Sequence, residues 1–167
     1  MDDHVETGIK QLLNRNDHKC FGCGPANPSG LRMKFFTDEM SVFSWLKVPD
    51  HLTGWDNLVH GGILSTILDE IMSWSAIYLL KKMILTKSMT VDFIKPVHVG
   101  MELKVEGNVF EKQTDREAVM QGRIYNKEGV LCVKSKGIYA LLDPKVAKKL
   151  NIMSAEALKD FEPILKA

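Results

Sequence analysis

The chain has 167 residues, 45% hydrophobic and 26% charged, with 22 Lys and Arg against 21 Asp and Glu for a net charge of +1. That is about one domain's worth of sequence with enough apolar residues for a core, which excludes disordered, collagen-like and mucin-like chains. The balanced charge leaves no basic footprint for nucleic acid or for an anionic membrane surface.

In chain order, residues 5–14 have loose helical character, weakened by Gly8. Residues 20–30 hold Gly22, Gly24, Pro25, Asn27, Pro28 and Gly30 and predict an ordered, turn-rich loop. Strands are expected at 31–36, where Leu31, Met33 and Phe35 alternate with Arg32, Lys34 and Phe36, and at 42–48. A loop over 49–59 leads to His60-Gly61-Gly62. There the period changes: Ile63, Leu64, Ile67, Leu68, Ile71, Met72, Ser75 and Ala76 form a wide apolar face, with Ser65, Thr66, Asp69, Glu70 and Ser73 as a narrow polar stripe. A helix over 62–80 is about 28 Å long and apolar over most of its girth, so it should be buried on most sides. Strands follow at 86–94, 101–110, 119–125 and 130–142, the last two joined by the turn Asn126-Lys127-Glu128-Gly129. Asp143-Pro144 opens a short helix to about Leu150, Ser154 caps another, and this segment beyond Leu142 is expected on the outside of the sheet.

One long buried helix beside a run of antiparallel strands is an α+β layer arrangement in one domain, with a core over about 18–142 and helical extensions at both ends. The sheet must curl around the helix, and its open edges are suited to pairing across a dimer. The 63–80 stretch carries Asp69 and Glu70 at its middle, which argues against a membrane span. Three cysteines, an odd count too small for a disulfide framework, and an acidic start at Asp2-Asp3 point to a cytoplasmic protein.

The strongest chemical feature is His60-Gly61-Gly62 at the start of the helix. Glycines at such a junction let a ligand approach the backbone, and the first N–H groups of a helix lack internal partners and carry the positive end of its dipole. They can hold a developing oxyanion. Asp69, two turns further in among Ile67, Leu68, Ile71 and Met72, should be partly desolvated, as suits a general base. Cys20-x-x-Cys23 lacks the second ligand pair that a structural zinc site uses, so no metal is expected, and Gly22-Cys23-Gly24 lacks the third glycine of a dinucleotide fingerprint. Cys132 is expected in the core, His51 and His98 at the surface, and Lys134 and Lys136 on a solvated strand face.

Residues 60–70, His60-Gly61-Gly62-Ile63-Leu64-Ser65-Thr66-Ile67-Leu68-Asp69-Glu70, resemble the signature of hotdog-fold acyl-CoA thioesterases of the PaaI (phenylacetyl-CoA thioesterase) type, with the acid nine residues after the histidine. Cys20-Phe21-Gly22-Cys23-Gly24, Asn27-Pro28 and Gly30-Leu31 resemble the N-terminal segment of a subset of that family, and Phe93-Ile94-Lys95-Pro96 followed by Gly100 also fits. The resemblance covers roughly 18–142. It implies a hotdog fold, a homodimer or dimer of dimers, and a site between subunits. There Gly61 presents its N–H to the thioester carbonyl of an acyl-CoA, and Asp69 of the other chain activates water or attacks. His60 shapes the carbonyl pocket, and Thr86 positions the water or the acid. Gly62, Asn57 and Lys95 are expected at the substrate, Lys95 toward the CoA phosphates. No cofactor is needed, CoA being part of the substrate. Glu70 competes with Asp69 for the catalytic role, but one helical step turns about 100°, so the two cannot share a direction. The alternative is a hotdog module that binds acyl-CoA or a protein without catalysis, with an enoyl-CoA hydratase a weaker third option.

Overall fold

The computed structural model describes residues 8–166. Seven strands form one fully antiparallel sheet: β1 (Lys10–Leu12), β2 (Phe35–Thr37), β3 (Val42–Lys47), β4 (Met83–Phe93), β5 (Glu102–Lys112), β6 (Glu117–Asn126) and β7 (Leu131–Leu142), in the spatial order β1-β2-β3-β5-β6-β7-β4. Helix α1 (Gly61–Leu80) is held on one face of the sheet, touching β3 through β7, and α2 (Pro144–Lys149) and α3 (Ala155–Lys166) close the chain. A sheet wrapped on a central helix is the hotdog arrangement.

The sheet face against α1 is read directly from strand alternation. Leu103, Val105 and Gly107 on β5, Ala118, Met120, Gly122 and Ile124 on β6, and Ser135, Gly137, Tyr139 and Leu141 on β7 are buried, and most of their neighbours in sequence are not. Ile67, Leu68, Ile71 and Met72 of α1 are completely buried against them, worth roughly 1.5–3 kcal/mol each. Gly107 and Gly122 are cross-strand partners and make a trough for the helix. A Cβ at Gly107 would stand 2.8 Å from the Ile71 carbonyl oxygen, and one at Gly122 would stand 3.0 Å from Leu68 Cδ2. By length and composition α1 could cross a membrane, but 56% of that stretch is buried within the fold, as befits a core helix.

Three expectations are corrected. The described part of 5–14 is not helical: Lys10–Leu12 is an edge strand on β2, with Leu12 opposite Phe35, while residues 5–7 lie outside the described residues. The strand expected over 31–36 begins only at Phe35, because Arg32 takes a left-handed turn (φ 51°) and Leu31 and Met33 give their N–H groups to the carbonyls of Phe21 and Gly22. The C-terminal segment does not pack on the outside of the sheet. It lies on α1, where Phe161 of α3 comes 6.0 Å from Trp74, itself stacked 4.7 Å from Phe35. The apolar girth of α1 exceeds what the sheet covers, and Leu158, Phe161 and Ile164 bury the remainder. As expected, Asp143 sits at the N-cap of α2 and Pro144 opens it, the Asp143 side chain pairing with Lys82 in place of a cap bond. Ser154 does cap α3, accepting from the Ala157 N–H at 3.1 Å.

Candidate active site

The first turn of α1 is built by His60. Its ring Nδ1 accepts the Gly62 N–H at 2.9 Å, and its carbonyl accepts from Ile63 and Leu64 at 2.9 and 3.2 Å. A helix N-terminus leaves several N–H groups to be satisfied, and after His60 has taken its share, the Gly61 N–H is left with no partner among the described residues. Gly62, expected beside the substrate, has its N–H occupied by this cap. Gly61 faces the end of β4: a Cβ there would stand 3.5 Å from the Phe93 ring, with Lys95 exposed two residues further on. Asn57 is drawn into the neighbouring turn, its Oδ1 3.1 Å from His98 Nδ1 and its carbonyl accepting the Val99 N–H.

Asp69 lies two turns into α1, half-buried on the side that meets β4 and β7. Thr86 Oγ1 donates to its Oδ1 at 2.8 Å and Tyr139 OH donates to the same oxygen at 2.9 Å. The two donors are cross-strand partners in the β4–β7 ladder, so strand register brings both hydroxyls to one carboxylate. Tyr139 is fully buried, and burial first, then the Asp69 charge, push its phenol well above the ordinary range and keep it a neutral donor. With both hydroxyls on Oδ1, Oδ2 has no partner among the described residues. A carboxylate fixed through one oxygen and open at the other can accept a proton from water or attack a carbonyl. Tyr139 was missed by sequence reasoning because an aromatic residue in an alternating strand reads as core filling. Its signal is the register that sets it opposite Thr86.

Glu70 points elsewhere. Burial raises its carboxyl to about 8, and a hydrogen bond of 3.1 Å joins its Oε1 to Cys20 Sγ. Neighbouring helix positions therefore serve different surroundings: Asp69 the sheet, Glu70 the 18–24 loop. Cys132 is buried in the core, Lys134 and Lys136 are exposed, and His51 is exposed, as expected, whereas His98 is only half-exposed. A surface cleft of about 640 Å³, lined by Trp45, Lys104 and Tyr125 among others, contains none of the site residues.

Gly61 and Asp69 are eight residues apart on one helix, so they are separated by about 12 Å along its axis and turned roughly 80° from each other. One chain cannot place both against the same carbonyl group.

The family model described as the thioesterase superfamily matches residues 56–133, a span that holds Asn57, His60, Gly61, Gly62, Asp69, Thr86 and Lys95 but neither Tyr139 nor the cysteine loop. No curated protein matches the sequence significantly. Among solved structures, the thioesterase superfamily protein RHA08564 is 20% identical with a TM-score of 0.66, over 75% of this chain and 60% of its own. The Escherichia coli PaaI protein from the phenylacetic acid degradation operon is 19% identical with a TM-score of 0.61, over 67% of this chain and 80% of its own. A hypothetical thioesterase of Streptococcus pneumoniae TIGR4, solved with coenzyme A, is 22% identical with a TM-score of 0.58, over 63% of this chain and 80% of its own. At these identities the likeness is one of fold.

Proposed function

We propose that this chain, whose residues 56–133 match the thioesterase superfamily model and which shares its hotdog fold with the Escherichia coli PaaI protein, hydrolyses acyl-CoA thioesters to a free carboxylic acid and CoA. The observation that carries the reading is the pair of unmet groups on α1: the Gly61 N–H at the positive end of the helix, and Asp69 Oδ2 opposite two fixed hydroxyls. The hypothetical thioesterase solved with coenzyme A supports this choice of ligand.

The thioester carbonyl oxygen accepts the Gly61 N–H of one subunit, where the helix dipole and the unpaired donor stabilise the charge that develops on it. Asp69 of the partner subunit takes a proton from a water that adds to the carbonyl carbon, or itself attacks that carbon to give an anhydride that water then opens. The C–S bond breaks, its electrons leave on sulfur, and the thiolate is protonated to free CoA. Thr86 and Tyr139 hold the carboxylate through Oδ1 and leave the reacting oxygen clear. His60 caps the helix and thereby leaves Gly61 as the open donor. Lys95, exposed at the end of the sheet where Phe93 meets Gly61, takes the CoA phosphates.

This arrangement requires a homodimer or a dimer of dimers. The 11-residue β4 is the edge of the sheet, and it carries exposed Leu85 and Phe93, with Ile94 exposed just beyond it. Such an edge is a ready surface for a second copy.

The test is free-thiol release from short, long and aromatic acyl-CoAs, wild type beside Asp69→Ala. Release in the wild type that vanishes in the variant supports the proposal. Saturable acyl-CoA binding with no thiol released would replace it with the binding module.

A further inference from the structure

The turn-rich segment that the hydrolytic reading leaves unused is folded onto α1 directly beside the site. Cys20 Sγ, Cys23 Sγ and a carboxylate oxygen of Glu70 all lie within 4.8 Å of one another, although Glu70 is 50 residues from Cys20. Sulfur ligands about 2.3 Å and oxygen ligands about 2.0–2.2 Å from a tetrahedral zinc stand roughly 3.4–3.8 Å apart, so small side-chain movements close this set on an ion.

Three further observations point the same way. The loop is held in shape by its own bonds: Gly24 N–H to the Cys20 carbonyl at 2.9 Å, Asn14 Nδ2 to the Cys23 carbonyl at 2.8 Å, and Met33 N–H to the Gly22 carbonyl at 3.0 Å. Gly22 lies so close to Glu70 that a Cβ there would fall 2.2 Å from Glu70 Cγ, so the loop backbone is seated against the acid. And Glu70, half-buried under the loop, has no Lys, Arg or His in ion-pair reach among the described residues. A buried acid without a cationic partner is costly unless it is neutral or meets a cation.

We infer that Cys20, Cys23 and Glu70 form a site for a borderline-soft divalent cation, zinc being the best match to two sulfurs and one carboxylate oxygen, with water in the fourth position. The two thiols and the acid give up their protons on binding. The ion staples the 18–24 loop to α1 one residue beyond Asp69. Asp69 faces the sheet and not this loop, so the ion takes no part in hydrolysis.

The test uses the full-length protein, reduced, stripped by a chelator and titrated with Co²⁺ as a spectroscopic substitute for zinc. One ion per chain is expected, with a thiolate-to-cobalt charge-transfer band and the visible bands of tetrahedral cobalt, displaced by one equivalent of Zn²⁺. Cys20→Ser and Cys23→Ser should each weaken the charge-transfer band and the affinity, and Glu70→Gln should keep the band but bind at least about tenfold more weakly, since even outer-shell losses cost that much. Should a serine variant fail to fold, the wild type still decides: Zn²⁺ must protect the part-exposed Cys20 thiol from alkylation in the folded, reduced chain. Absence of the charge-transfer band in the wild type, absence of thiol protection, or cobalt binding indifferent to all three substitutions overturns the inference.

Discussion

Asp69 and Glu70 are the same chemistry one residue apart, and the fold gives them opposite surroundings. Asp69 turns to the β4–β7 ladder, where two hydroxyls hold one carboxylate oxygen and leave the other open. Glu70 turns to a loop of sulfurs and backbone, where burial raises its carboxyl to about 8. The roughly 100° step of a helix is enough to separate them. What each step meets sets what it can do: in the proposed reading, the register-fixed pair of hydroxyls positions Asp69 as a base, and the C-x-x-C loop joins Glu70 in a ligand set.

The largest expected effect that can break this contrast is on turnover. Asp69→Asn keeps the size of the side chain but removes the base, and kcat should fall by about 10²–10⁴. Glu70→Gln should cost much less in the same thiol-release assay. A larger loss from Glu70→Gln would reverse the assignment of the two sides.

Gly61→Pro comes next. Proline is tolerated at the first position of a helix, so the change removes the N–H and little else, and kcat should drop about 10²–10³ as for the loss of one oxyanion donor. Mixing Gly61→Pro chains with Asp69→Ala chains should restore part of the activity, because a mixed dimer contains one site with Gly61 and Asp69 both intact. No recovery on mixing, under conditions where co-purification of differently tagged chains shows subunit exchange, would place both groups in a single-chain site.

The two hydroxyls sharpen the contrast within the Asp69 side. Tyr139→Phe removes a donor so buried that water cannot replace it, and a lost bond to a charged group costs about 1.5–3 kcal/mol, or roughly 10- to 100-fold in kcat. Thr86 is exposed, and water can stand in for its hydroxyl, so Thr86→Val should cost less. Equal losses would mean that the register pair acts as one unit. The smallest effect is on stability: His60→Ala removes the cap on Gly62 and should lower the unfolding free energy by about 0.5–2 kcal/mol in chemical denaturation.

The sequence made α1 and β5 through β7 legible, because a 20-residue apolar period and long alternating strands leave little else to choose. The short β1 was not legible: in three residues, Lys10, Gln11 and Leu12, there is no period to read, and only pairing with β2 makes them a strand. The same limit divides the site. His60, Gly61 and Asp69 lie close in sequence on one local signature, so spacing found them. Tyr139 reaches Asp69 across 70 residues, and Glu70 meets Cys20 across 50, so both depend on tertiary pairing that composition does not carry.

The place of β4 at the sheet edge also sets a clock for assembly. Among the described residues its only partner in the sheet is β7, so Met83 must wait for Leu142 and Phe93 for Val133. At about 5–20 residues per second, the ribosome exposes this apolar strand for several seconds before its partner emerges. Such long-range pairing is slow to close even in a finished chain. The strand that ends the wait is also the one that brings Tyr139 to Asp69, so the nascent protein carries its acid long before it can hold it in place, and a chain that stops short of β7 should be both prone to aggregate and inert.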